Sequence, residues 1–359
     1  MIVLEESITM KLRSMSLAIV GIASVLTSPS HAAVSILDPG YSFTTYHTHS
    51  VATSAVISFD WDASDAVHYQ TATSAFAFGG LFRWNGVTQT TAVVGNSDFS
   101  GAGVVRIGDN LYFNTEDFTS QKVSKYGPLS GSPIATIIST GPSFDLFGRN
   151  PGEIFITGSI GFGTNQIFYT TLDGAGNFTG APVSLGLTIG SSGPIAFDLA
   201  GNMYYAPGFG NRSIYKYLAA DVAAAITDPI TNPLPAAASR LWRDYSADFA
   251  TVSGGTGMAF DEAGELLLTL TDFSNPSYLV RFDVDALGDY EGFEAILSST
   301  DQLGDVRFRD GSIYLANGNT ILQVVPEPGT IGLVLMGCAA LALLRRRRGC
   351  PRPAPEIRP

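Results

Sequence analysis

Gly193-Pro194-Ile195-Ala196-Phe197-Asp198-Leu199-Ala200-Gly201-Asn202-Met203-Tyr204-Tyr205 is the stretch that decides the fold. It starts on a glycine, alternates apolar residues into Asp198, breaks at Gly201-Asn202 and resumes with apolar and aromatic residues. A strand of period two, an Asp that opens a turn, a Gly or Asn that accepts positive φ and a second strand together predict a tight hairpin. The pattern returns at residues 257–268, GMAFDEAGELLL, and in shorter form at 103–113 and 304–314. A degenerate copy starts at Gly141 and pairs Phe144-Asp145 with Glu153-Ile154-Phe155-Ile156. A sixth begins near Ser54, through Ile57-Ser58-Phe59-Asp60 and Val67-His68-Tyr69. A third strand follows several copies, at 213–217, 278–282 and 320–324.

The starts at Gly103, Gly141, Gly193, Gly257 and Gly304 lie 38, 52, 64 and 47 residues apart. A repeat of roughly 40 to 50 residues with three or four strands predicts an all-β fold, a β-propeller. The length fits five or six blades, and six is the expectation. The competing architecture is a β-sandwich or jelly roll, since the spacing is irregular. The last unit ends near Val324 after three strands, while 34–45 has strand character and no unit of its own. That segment is expected to close the ring as the outer strand of the last blade. The Ala- and Pro-rich stretch 218–243 reads as a long insertion between blades, carrying a short helix. The residues GPIAFDLAGNMYYA and GMAFDEAGELLLT resemble blades of NHL-type and gluconolactonase-like propellers.

The body, residues 33–324, holds 28 acidic and 12 basic side chains, a net charge of −16. Such a surface argues against nucleic acid or anionic lipid as a partner. Both cysteines, Cys338 and Cys350, fall outside it, so the body has neither a disulfide framework nor a thiol nucleophile.

Both ends carry export signals. Lys11 and Arg13 precede a nearly apolar run at 16–26, and Ser30-His31-Ala32 places small residues at −3 and −1 of a cleavage site. Residues 1–32 therefore read as a signal peptide cut after Ala32, with Met10-Lys11-Leu12-Arg13 an alternative start to Met1. At the other end, Pro326-Glu327-Pro328 precedes an uncharged run at 330–344 and then Arg345, Arg346, Arg347 and Arg348. A helix of 15 residues spans about 22 Å, short of the roughly 30 Å bilayer core, and snorkelling arginines close the gap. The arginines are expected to stay on the cytoplasmic side, which places everything before Val325 on the outer side of the membrane. Proline disfavours helix and pushes the residue before it toward extended geometry, so the Pro-Glu-Pro is expected as an exposed, extended tripeptide.

The order of these parts resembles the PEP-CTERM sorting signal of Gram-negative bacteria. That resemblance implies that Pro326, Glu327 and Pro328 are read by exosortase, that 330–344 is a transient transmembrane anchor, and that the four arginines are its stop. Residues 325–348 then form the signal, and 349–359 a proline-rich tail that departs from the usual pattern. It further implies secretion machinery and extracellular polysaccharide as partners, and a place in the extracellular matrix.

No G-x-S-x-G, H-E-x-x-H or Walker pattern occurs. His47-Thr48-His49 sets two imidazoles on one strand face, with no close carboxylate to complete a metal site, and reads as solvated surface. His68 is the third histidine of the body. Asp60, Asp198 and Asp261 each follow a Phe at a strand end. Turn capping is expected for all three, although gluconolactonase-like propellers use acidic residues near a central metal. Asp173-Gly174-Ala175-Gly176-Asn177 reads as a hairpin loop, and Trp61, Trp84 and Trp242 as blade packing rather than a sugar platform. No catalytic residue, metal or cofactor is assigned. The leading expectation is a non-catalytic binding or structural propeller; the alternative is an extracellular lactonase or hydrolase with a metal on the axis. The two differ in whether three or four acidic, amide or imidazole side chains converge at the axis with shifted pKa values.

Overall fold

A computed structural model describes residues 33–116, 121–127, 135–139, 143–149, 151–159, 164–272 and 276–327. The chain is a six-bladed β-propeller. Blade one consists of β3 (Ala55–Trp61), β4 (Val67–Ala72), β5 (Phe78–Trp84) and β6 (Gln89–Val94). Blade two is β7 (Phe99–Ile107), β8 (Asn110–Glu116), β9 (Gln121–Tyr126) and β10 (Ala135–Ser139), and blade three is β11 (Ser143–Gly148), β12 (Glu153–Ser159), β13 (Asn165–Thr171) and β14 (Val183–Leu187). The deciding hairpin is β15 (Ile195–Phe197) and β16 (Met203–Tyr205) of blade four, followed by β17 (Ser213–Tyr217) and β18 (Leu241–Asp244). Blade five contains β19 (Gly254–Phe260), β20 (Leu266–Thr271), β21 (Ser277–Val284) and β22 (Tyr290–Ser299). Blade six contains β23 (Leu303–Arg309), β24 (Ser312–Asn317) and β25 (Thr320–Pro326).

The fourth strand of blade six is β2 (Tyr41–Thr48), paired antiparallel to β25, so the N-terminal segment closes the ring as expected. Two details differ. First, the segment splits, and β1 (Val34–Ile36) adds a fifth strand to blade five against β22. The reversal is a turn in which Asp38 Oδ1 accepts from Gly40 N–H and Asp38 C=O from Tyr41 N–H, 2.8 and 3.1 Å. Second, the ladder runs past Val324 to Tyr41↔Pro326, and Glu327 N–H donates to Gly40 C=O at 2.7 Å. The stretch 218–243 is also not a connection between blades. It joins the third and fourth strands of blade four, holds α1 (Ala219–Thr227), and ends as β18 itself. Leu234 N–H bonds Leu185 C=O at 2.7 Å, seating the insertion on blade three.

In this topology the turns after first and third strands lie on one face, the turn face. The loops after second strands and the crossings between blades lie on the other, the crossover face. First strands line the centre, and packed seams join neighbouring blades. Among the described residues each seam has its own apolar cluster: Phe59, Trp61 and Tyr314 between blades six and one, Tyr204, Met258 and Phe282 between four and five. Glycine is required where first strands meet. A Cβ on Gly257 would stand 2.5 Å from Val306 N and 2.6 Å from Asp305 Cα, and one on Gly103 2.5 Å from Leu146 N.

The described residues include no helix long and apolar enough to cross a membrane, and 330–344 lies outside them. Ala32, Pro328 and Arg345, Arg346, Arg347 and Arg348 also lie outside, whereas Pro326 and Glu327 are described and exposed.

Candidate functional site

The centre is polar and acidic. On β23, Asp305 Oδ2 accepts from Ser58 Oγ–H (2.7 Å) and from the Arg307 guanidinium (3.0 Å), with Phe59 N–H at 3.5 Å. Arg307 donates onward to Phe59 C=O and Val104 C=O, 3.2 and 2.8 Å. One side chain from blade six thus reaches first strands of blades one and two, which places it at the axis. Asp145 on β11 accepts from Leu146 N–H (2.8 Å) and, across the next seam, from Ile195 N–H (3.1 Å). Asp60 accepts from Trp61 N–H and Arg106 N–H, both at 2.7 Å. Ser58 Oγ likewise accepts from Val104 N–H of the adjoining blade, while the Thr157 and Thr256 hydroxyls donate across their seams to Gly193 C=O and Leu303 C=O.

Burial pushes Asp145 well above the ordinary carboxylate range, and the nearby Asp305 charge adds to the shift. Burial raises Asp305 too, against the pull of Arg307. Burial disfavours the Arg307 charge, but Asp305, Asp60 and Asp145 more than offset it and hold the cation. The axis therefore shows shifted carboxylates, yet each oxygen named above is committed to a backbone amide, a hydroxyl or Arg307. Among the described residues no three His, Cys, Asp or Glu side chains are placed to hold a metal ion.

The Asp turns divide. Asp198 Oδ1 accepts from Asn202 N–H (2.8 Å), and Asp261 Oδ1 from Ala263 and Glu265 N–H, both at 2.9 Å. Asp173 and Asp285 do the same in third-to-fourth strand turns. Each of these four turns has its glycine at positive φ: Gly176, Gly201, Gly264 and Gly288. Asp60 does not cap its turn, contrary to expectation. Asp62 does, binding Ser64 N–H and Ala66 N–H, and Asp65 takes the glycine's place at φ 62°. Strand β3 runs two residues further before turning, which leaves Asp60 facing the neighbouring blade.

The histidines are not solvated surface. His47 and His49 are 7% and 1% exposed, and His47 Nε2 and His49 Nδ1 both lie 3.0 Å from the Tyr69 hydroxyl. His47 stacks on Trp84, and His49 packs against Phe82. Burial lowers the His47 pKa to about 4, helped by His49, and lowers His49 as well, against a hydrogen bond with Gln89. His68 is buried against Asp62, 3.1 Å away. Burial lowers its pKa in spite of that carboxylate. Trp61, Trp84 and Trp242 pack in the seams, as expected.

A cavity of about 400 Å³ opens on the crossover face between blades four and five. Its wall includes Asn211, Arg212, Ser213, Asp244, Ser246 and Ser253. Asp244 Oδ1 takes Ser246 N–H at 2.9 Å, and hydrogen bonds from Ser246 keep its carboxyl below the usual range. Arg212 is tethered by Nε to Val252 C=O.

Neither the cavity nor the axial set was singled out from sequence. The cavity comes from loops of two strand connections that no repeat relates. The axis had a signal: Asp305, Arg307 and Arg309 alternate on a first strand whose counterpart, Gly257-Met258-Ala259-Phe260, is uncharged.

No protein-family model matches this sequence, and no curated protein sequence matches it. Solved structures do share the fold. The PQQ domain of pyranose dehydrogenase from Coprinopsis cinerea, in its holo form, is 10% identical at TM-score 0.54, covering 82% of this chain and 98% of that one. A Thermus thermophilus protein described as a putative oxidoreductase (glucose dehydrogenase) is 12% identical at TM-score 0.56, covering 80% and 100%. A luciferin-regenerating enzyme is 12% identical at TM-score 0.52, covering 82% and 95%. At such identities the likeness concerns the propeller alone.

Proposed function

We propose that this chain is an exported cell-envelope protein whose propeller binds extracellular polysaccharide without transforming it. The C-terminal Pro326-Glu327-Pro328 signal would deliver it through exosortase. One observation carries the binding reading. The axial carboxylates serve as staples between blades, while the open cavity presents amide, hydroxyl, carboxylate and guanidinium groups, a donor and acceptor set suited to a hydroxyl-rich ligand. Calorimetry against oligosaccharides of the producing cell's matrix tests it. Asp244→Ala should weaken binding at least tenfold with little change in Tm; no heat with any matrix oligosaccharide would sink the reading. The sorting arm is tested by the mass of the exported protein. A C-terminus intact through Pro359 in exosortase-competent cells would refute processing.

A second reading, an extracellular hydrolase or lactonase, is favoured by the raised pKa values of Asp145 and Asp305 beside Arg307. It predicts that Asp145→Asn abolishes turnover of lactones or glycosides in a protein that still folds. Quinone chemistry suits the residues poorly. Pyrroloquinoline quinone carries three carboxylates, and the axis is itself acidic.

A further inference from the structure

The chain leaves the propeller from the turn face. Strand β25 ends there at Pro326, and Glu327 is tied to Gly40 in the turn between β1 and β2. Three residues later the uncharged run at 330–344 begins. Three residues span at most about 10 Å. If that run enters a bilayer, so short a tether holds the blade-six edge of the turn face at the lipid surface.

The same face carries unburied apolar tips. Leu199, Val87 and Leu287 are 99%, 87% and 79% exposed, three of the five most exposed large apolar side chains among the described residues. They sit at turn tips of blades four, one and five, and Leu37, 47% exposed, lies beside the exit. Points spread over the face, from an inner turn at Leu199 to outer turns at Val87 and Leu287, suit a flat surface rather than a groove-binding partner. The turns also hold Asp173, Asp198, Asp261 and Asp285, whose charges would be repelled by anionic headgroups.

We infer that the turn face seats on a bilayer of zwitterionic lipid, with Leu199, Val87 and Leu287 entering the headgroup region and the crossover-face cavity directed away from the membrane. This rests on the anchor reading of 330–344, and the test separates the two. The body is free of cysteine, so the full chain with Cys338→Ser and Cys350→Ser accepts a single environment-sensitive fluorophore at Leu199→Cys, Leu287→Cys or Val51→Cys, the last on the crossover face. Each variant is reconstituted into phosphatidylcholine vesicles containing a spin-labelled lipid. Circular dichroism identical to the unlabelled chain confirms the fold. The expected result is flotation with the vesicles, with blue-shifted, quenched emission at 199 and 287 and water-like emission at 51. A chain that floats while its probes at 199 and 287 remain in water overturns the seating alone. A chain that does not float overturns the anchor and the seating together.

Discussion

At the scale of single residues, the axial carboxylates are chemically alike and energetically different. Asp305 holds Arg307 and Ser58, so Asp305→Ala leaves a buried guanidinium without its hydrogen-bonded charge partner, with only Asp60 and Asp145 nearby. Breaking such a pair typically costs about 3–5 kcal/mol. Asp145 is pushed toward its neutral form by burial, and Asp145→Asn keeps one acceptor for two amides. Its expected cost is about 1 kcal/mol. Chemical denaturation of the two variants checks the ordering; equal losses would show that Asp145 carries full charge. The imidazoles give a pH signature. His47 titrates near 4 in the folded chain against 6.5 unfolded, so the unfolded chain binds more protons between these values. Stability should be complete above pH ~6.5 and fall as pH drops toward ~4. In His47→Gln the acid slope of Tm should be shallower. None of this was legible in His47-Thr48-His49 alone, because solvent exposure of a strand face depends on what packs over it. Tyr69 and Trp84, which do so here, come from the next blade.

Single elements explain why the hairpin was easy to read. An Asp capping two amides and a glycine at positive φ are local requirements, written wherever the turn occurs. Asp198→Ala removes the caps on Asn202 while leaving β15 and β16 paired, and should cost about 1 kcal/mol. A Tm unchanged within error would show that the backbone bonds of the turn suffice. Asp60 escaped this reading because the turn shifts two residues in blade one, a register choice that the Phe-Asp pair does not encode. The stretch 218–243 was misplaced for a related reason: a four-residue outer strand, Leu241–Asp244, has too little alternation to stand out after a helix.

For the whole molecule, closure depends on a strand made first and used last. Deleting residues 33–48 removes β1 and β2, exposing the β25 edge and opening the ladder that reaches Pro326. An unpaired strand of that length invites association with another chain. The expected outcome is loss of the cooperative thermal transition together with aggregation in light scattering. A monomeric deletion variant with native Tm would show that five complete blades and a three-stranded sixth suffice.

The sequence by itself determined the repeating hairpin, a count of five or six such units and the strand that closes them, because turn chemistry and period-two alternation are short-range and recur; that the ring has six blades was decided by the tertiary structure. The acidic, cysteine-free character of the body follows directly from composition. Only the tertiary structure decided which Asp caps a turn and which staples two blades, that His47 and His49 are buried, and where the cavity lies. Those outcomes depend on contacts between blades tens to hundreds of residues apart, such as Ser58 with Asp305, and no local pattern records them.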